Sequence, residues 1–101
     1  MPNRKHQYYV DDIITFRGTF KQNGVAQTPD ADTGLATIKQ YGVTAAIVDA
    51  ATAIISGTQI QYKYTADTVG QFAIFLSAQF ESGADKRTGV IEFIVRAKES
   101  H

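Results

Sequence analysis

Cysteine is absent from this 101-residue chain, and histidine occurs only twice. Without cysteine the chain has no disulfide, no thiolate nucleophile and no thiolate metal ligand. The two histidines, His6 and His101, lie near the chain ends, which are usually mobile. A histidine-based triad or metal cluster needs a histidine held on a rigid part of the fold. Neither kind of site is therefore expected, and no cofactor is expected.

An excess of charge of one sign is also lacking, because ten basic residues balance ten acidic residues. Nucleic-acid-binding domains usually carry a basic excess, so no nucleic-acid partner is expected. The best aromatic and basic run is Tyr62-Lys63-Tyr64. Alternation along a strand would place Lys63 on the face opposite the two tyrosines, which favours a core role for the tyrosines.

Long hydrophobic runs are missing as well. Uncharged stretches such as residues 50–61 are too short and too polar to span a bilayer, so no membrane partner is expected. The first ten residues, MPNRKHQYYV, contain no apolar run. No secretory signal peptide is therefore expected.

Alternation of apolar and polar residues is the strongest pattern in the sequence, and it is typical of strands with one buried face. It is clear in residues 13–21, 34–40, 59–65, 71–81 and 86–97. The inward positions predict a single core. Its predicted members are Ile14, Phe16, Phe20, Ile38, Ile60, Tyr62, Phe72, Ile74, Leu76, Ile91, Phe93 and Val95.

Two turns are predicted from residues that tolerate positive φ. Asn23-Gly24 favours a type I′ hairpin. Gly83-Ala84 favours a two-residue type II′ turn, in which Ser82 would pair with Asp85.

Residues 43–56 fit two structures. The spacing of Ile47, Ala51 and Ile54 suits a helix, whereas the many β-branched residues suit strands. No capping pair opens the segment and strands flank it, so two short strands, at 43–48 and 52–56, are predicted.

Seven or eight short strands without βαβ spacing predict one all-β domain, an antiparallel immunoglobulin-like β-sandwich. The sandwich is expected over residues 10–98, between a flexible N-terminal arm at residues 1–9 and a polar tail at 99–101. The arm carries Tyr8 and Tyr9. It is either a frayed terminus or a tether that docks its tyrosines on a neighbouring subunit.

Few residues suggest chemistry. The close carboxylate pairs Asp11-Asp12 and Asp30 with Asp32 would offer oxygen ligands to Ca²⁺, but neither has the ligand order of an EF-hand. Turns favour aspartate for its local hydrogen bonds, which accounts for both pairs. No nucleophile elbow or phosphate-binding loop is present. No catalytic, cofactor-binding or metal-binding residue is assigned, and the protein is not expected to be an enzyme.

One apolar cluster lies on a face that should be polar. In the predicted register of the last hairpin, Phe75 opposes Glu92, and Val90 and Ile94 are its diagonal neighbours. Such a cluster is often an interaction site, unless the N-terminal arm or residues 43–56 cover it. The candidate protein-interaction residues are Phe75, Val90, Ile94, Tyr8 and Tyr9.

Two long runs resemble small immunoglobulin-like proteins that are encoded among the structural genes of tailed phages and prophages. The first run, DDIITFRGTFKQNGVAQTPDADTGLATIK, has a threonine-rich amphipathic strand, an Asn-Gly hairpin and a second strand. The second run, ISGTQIQYKYTADTVGQFAIFLSAQFESGADKRTGVIEFIVR, ends in a long aromatic strand, a hairpin and a closing strand with F-x-V. Together the runs span about residues 10–97.

The resemblance implies a non-catalytic structural protein of a phage particle, either a capsid decoration or cement protein or a tail-associated component. Such a protein would act by contact with capsid or tail subunits or with itself, as a homo-oligomer. It would be made in the bacterial host cytoplasm and located in the virion. The alternative is an immunoglobulin-like binding module of a bacterial surface protein that recognises carbohydrate or a host protein, because sandwiches host unrelated functions.

Overall fold

The computed structural model describes residues 6–97, and every regular element within them is a β-strand. The prediction of an all-β chain is confirmed. Ten strands are described, more than the predicted seven or eight, because the Asn-Gly hairpin and part of the predicted arm each form short strands. The strands are β1 (His6–Tyr9), β2 (Ile13–Thr19), β3 (Lys21–Gln22), β4 (Val25–Ala26), β5 (Leu35–Gln40), β6 (Val48–Thr52), β7 (Ile54–Ser56), β8 (Gln59–Thr65), β9 (Gly70–Phe80) and β10 (Asp85–Arg96).

Two main sheets and one small hairpin contain these strands. The larger sheet has the order β1-β10-β9-β5-β6, the smaller has the order β2-β8-β7, and β3 pairs with β4. Neighbouring strands are antiparallel except β1, which runs parallel to β10. The inner faces of the two main sheets meet at Phe16 and Phe93, whose ring centroids are 4.8 Å apart. This arrangement is compatible with a β-sandwich.

The core contains all twelve residues that the alternation predicts. Nine of them are buried, and Phe20, Tyr62 and Ile91 are partly buried and pack against the others. Small residues complete the core where large ones would not fit, among them Ala36 and Ala78. Alternation therefore identifies the large inward side chains, whereas the small ones become evident only once the sheets are packed.

The predicted flexible arm contributes an edge strand. β1 pairs with residues 93–96 of β10. The Tyr8 ring packs edge-on against Phe16 at 6.1 Å and Phe93 at 6.2 Å. Burial of this large ring stabilises a strand that is too short for its alternation to be visible in the sequence. Residues 1–5 of the predicted arm, and the predicted tail at 99–101, lie outside the described residues.

Residues 43–56 contain no helix. Most of the predicted strand at 43–48 is loop, and β6 begins only at Val48. Ala50 has a φ of 50°, and the pairing of β5 with β6 shifts register between Ala36 and Ile38. This irregularity obscures the alternation. The predicted strand at 52–56 corresponds to β7, which belongs to the other sheet.

The Asn-Gly hairpin agrees with its prediction. Gln22 pairs with Val25, which leaves two residues in the turn. Asn23 has a φ of 53° and Gly24 a φ of 80°, as a type I′ turn requires.

The last hairpin has a four-residue turn, so the predicted two-residue turn is wrong. Phe80 pairs with Asp85, and residues 81–84 form the turn. The amide of Gly83 donates both to the carbonyl oxygen of Phe80, at 3.2 Å, and to the carboxylate of Asp30, at 2.8 Å. The register differs from the predicted one by two residues, so every side chain keeps its predicted face.

Within residues 6–97, no helix has the length and apolar character needed to cross a membrane.

Candidate functional site

The outward face of the larger sheet is built from the outward residues of β5, β9 and β10. Phe75 of β9 lies directly between Thr37 of β5 and Val90 of β10. In the next row, Ala73 lies between Lys39 and Glu92. The small side chain of Ala73 leaves a depression beside the Phe75 ring.

The predicted cluster of Phe75, Val90 and Ile94 is divided in the structure. Phe75 opposes Val90 rather than Glu92, and Ile94 opposes Gln71. Ile94 therefore lies four residues further along the sheet than Phe75, a distance of roughly 13 Å at the usual rise of a strand. Because of the four-residue turn, only Phe75 and Val90 remain neighbours.

Two further apolar residues join Phe75 and Val90. The chain turns at Tyr41 and Gly42 after β5, and Val43 follows. Tyr41, Val43, Phe75 and Val90 line one shallow groove of about 280 Å³. Val90 is 54% exposed, Tyr41 50% and Val43 46%. We call these four residues the outer patch.

Polar groups lie at the rim of the outer patch. The ammonium group of Lys39 is 5.9 Å from the centroid of the Phe75 ring, within the range of a cation–π contact. The hydroxyl of Tyr41 donates a hydrogen bond to the carboxylate of Glu92. This bond favours the protonated phenol and raises the pKa of Tyr41, and desolvation and the charge of Glu92 act in the same direction. Among the described residues, the rim thus carries charges of both signs, on Lys39 and Glu92.

The two predicted interaction tyrosines lie elsewhere. Tyr8 is partly buried and packs against the core. Tyr9 of β1 is 44% exposed and opposes Arg96 of β10, six residues along that strand from Val90. Within residues 6–97, no residue of β1 lines the groove, and Val43 is the one residue of the segment 43–56 that does.

The four aspartates considered as Ca²⁺ ligands lie in turns or accept hydrogen bonds from turn amides. Asp12 accepts a hydrogen bond from the amide of Tyr9 at 2.8 Å, and Asp30 accepts the bond from Gly83. Asp11 and Asp32 have φ values of 77° and 62°, which turn residues adopt. In the part of the chain that the structure describes, no three histidine, aspartate or glutamate residues are grouped to hold a metal ion.

Sequence reasoning missed Tyr41 and Val43. They follow a strand that pairs with β9, so their position beside Phe75 depends on pairing between residues more than 30 positions apart. The available signal was Tyr41-Gly42, which indicated only the end of a strand.

Comparison of the chain with protein-family models, curated proteins and solved structures gives no match.

Proposed function

We propose that the chain is a non-catalytic, immunoglobulin-like structural protein of a phage particle that acts by protein–protein contact. The observation that carries this proposal is the outer patch. Outward faces of antiparallel sheets are usually polar, whereas this one presents Tyr41, Val43, Phe75 and Val90 around one groove. Contiguous exposed apolar side chains often form interaction sites.

The strand order supports an immunoglobulin-like assignment. In that fold, strands B, E and D share one sheet and strands C, F and G share the other, which C′ extends in variable-type domains. Here the smaller sheet β2-β8-β7 matches the order B-E-D. In the larger sheet, β10-β9-β5 matches G-F-C, and β6 takes the place of C′.

The chemistry of the outer patch fits another protein subunit. Interfaces between proteins have an apolar centre, often with aromatic residues, and a polar rim. The patch contains two aromatic rings, and Lys39 and Glu92 beside it offer charges of both signs. The partner is a capsid or tail subunit that inserts an apolar side chain into the groove.

One observation favours the alternative function, a binding module of a bacterial surface protein. Tyr41 presents a half-exposed ring beside the carboxylate of Glu92. Such a pair offers a sugar both an apolar face and hydrogen-bond acceptors. Specific binding to a glycan array that Tyr41→Ala abolishes would favour this alternative.

Incorporation into particles tests the proposal. Phage particles would be purified from a host producing wild-type protein, the Phe75→Ser/Val90→Thr variant or the Ile54→Thr variant. Ile54 is 67% exposed on β7 of the smaller sheet, so its variant is a control for loss of exposed apolar area. We expect wild-type protein and Ile54→Thr in the particles. The double variant should be depleted about tenfold or more, since it loses two apolar interface contacts.

Two results would contradict different parts of the proposal. Absence of wild-type protein from the particles would contradict the role in a phage. Equal incorporation of the double variant, with circular dichroism showing that it is folded, would contradict the role of the outer patch.

A further inference from the structure

A second groove lies where the chain passes from β6 to β7. It is lined by residues of the loop 27–34, which precedes β5, and by residues of the segment 52–57. Its volume is about 470 Å³, and it shares no lining residue with the groove of the outer patch. Pockets that bind small ligands usually have volumes of roughly 300–1,000 Å³, so this groove has a suitable size. We call it the corner groove.

Hydrogen bonds hold the loop that forms one wall of the corner groove. The amide of Asp30 donates to the carbonyl oxygen of Gln79 at 2.8 Å, and the amide of Gln79 donates to the hydroxyl of Thr33 at 3.1 Å. The amide of Ala53 donates to the carbonyl oxygen of Gly34 at 2.9 Å. A Cβ atom at Gly34 would be only 2.6 Å from the carbonyl oxygen of Ala53, so glycine lets the two walls approach. A preformed groove lowers the cost of ordering on binding.

The lining of the corner groove is mostly apolar. Pro29 and Ala53 are buried, and Ile55 is half-buried beside them. Thr28 and Thr52 also line the groove and bring hydroxyl groups to it. None of the described lining residues is aromatic. The groove therefore suits an aliphatic ligand better than one that needs an aromatic ring to stack on.

The charge at the corner groove has one sign. Among the described residues that line it, only Asp32 is charged, and its side chain is exposed. Asp85 is paired with Arg87 at 2.8 Å, whereas no ion pair within residues 6–97 neutralises Asp32. The segments 27–34 and 51–58 contain two aspartates and no basic residue. A carboxylate without a counter-charge favours a ligand with a positive charge.

We propose that the corner groove binds a small aliphatic amine, with its alkyl chain along Pro29 and Ile55 and its ammonium group at the Asp32 carboxylate. An ammonium group has three donors and no acceptor, which matches the carboxylate and hydroxyl oxygens at the groove. This site is separate from the proposed contact through the outer patch. Ile54, the control position for that contact, also lines the corner groove. The test below therefore uses Asp32, and it uses the purified chain without phage particles.

A titration of the ¹⁵N-labelled full chain tests the proposal. The probe is n-pentylammonium chloride, and 1-pentanol is the neutral probe of similar shape. We expect the amide signals of Asp32 and Ala53 to shift with the amine. The alcohol should bind about threefold or more weakly, because it lacks the ion pair. Raising the salt concentration from about 20 mM to about 500 mM should weaken binding of the amine and not of the alcohol, because salt screens the charges.

Two variants locate the ammonium group. Asp32→Asn removes the charge and should keep the turn, because asparagine tolerates the φ of 62° at this position. It should bind the amine about threefold or more weakly than wild type and the alcohol equally. Asp49→Asn is the matched control, because Asp49 is exposed on β6 and does not line the groove. It should bind the amine as wild type does. If Asp32→Asn does not fold, the comparison of amine and alcohol on wild type decides.

Several results would overturn the proposal. They are the absence of shifts at millimolar amine, equal binding of the alcohol, equal weakening by Asp49→Asn, and shifts confined to the outer patch. Binding of the capped peptide Gly-Lys-Gly without binding of the free amine would overturn it as well, because the groove would then recognise a protein side chain. None of these results bears on incorporation into particles through Phe75, so the two proposals fail separately.

Discussion

Tyr64 of β8 packs against the core, and the same surroundings shift the pKa of its hydroxyl. Its ring packs edge-on at 6.5 Å from Phe93, and its hydroxyl lies 3.4 Å from a carboxylate oxygen of Asp67. Burial raises the pKa of Tyr64 to about 12, and the charge and hydrogen bond of Asp67 add to this effect. All of these effects favour the neutral phenol in the folded chain.

The raised pKa of Tyr64 predicts a loss of stability in alkali. In the unfolded chain tyrosine ionises near pH 10. Below that pH, the contribution of Tyr64 to the free energy of unfolding is therefore fully present. Above pH 10 the tyrosine of the unfolded chain loses its proton, whereas Tyr64 of the folded chain keeps it. The contribution of Tyr64 therefore declines as the pH rises from 10 towards the folded-state pKa of about 12. Urea unfolding between pH 9 and 12 should show a smaller decline for Tyr64→Phe than for wild type. Parallel declines would contradict this assignment.

The β9–β10 hairpin has one face in the core and one face on the surface of the larger sheet. Phe93 is fully buried, stacks on Phe72 at 5.3 Å, and faces the smaller sheet. Phe75 is half-buried on the other face, where it contacts Lys39. The same residue type therefore serves the core at one position and a surface at another.

Matched truncations on this hairpin test the assignment of its faces. Phe93→Ala should lower the free energy of unfolding by roughly 3–5 kcal/mol, because it leaves a cavity in a packed core. Phe75→Ala should lower it by about 1 kcal/mol or less, as substitutions near the surface usually do. Chemical denaturation of both variants measures the difference. Similar losses would show that Phe75 also belongs to the core.

Alternation in the sequence predicts elements well where pairing is regular. The bounds of β8 agree with the prediction, and those of β9 and β10 differ from it by one residue. The register of the last hairpin was not predictable, because its turn is stabilised by a hydrogen bond from the Gly83 amide to Asp30, which lies in a loop distant in sequence. β1 was missed because its partner, residues 93–96, lies at the other end of the sequence.

At the scale of the whole molecule, the larger sheet exposes apolar side chains, the outer patch, on its outward face. The sequence predicted Phe75 and Val90 in this surface, because both break the expected polar alternation. It could not predict Tyr41 there, because the position of Tyr41 depends on how strands distant in sequence pair.

Photo-crosslinking from the outer patch tests the central claim most directly. Benzoylphenylalanine would replace Phe75 in one variant and Ile54 in another, and intact phage particles containing each variant would be irradiated. We predict a covalent adduct with a capsid or tail subunit from position 75 and none from position 54. Particles that contain the protein but give no adduct from position 75, or give one only from position 54, would contradict the claim that the outer patch is the contact surface.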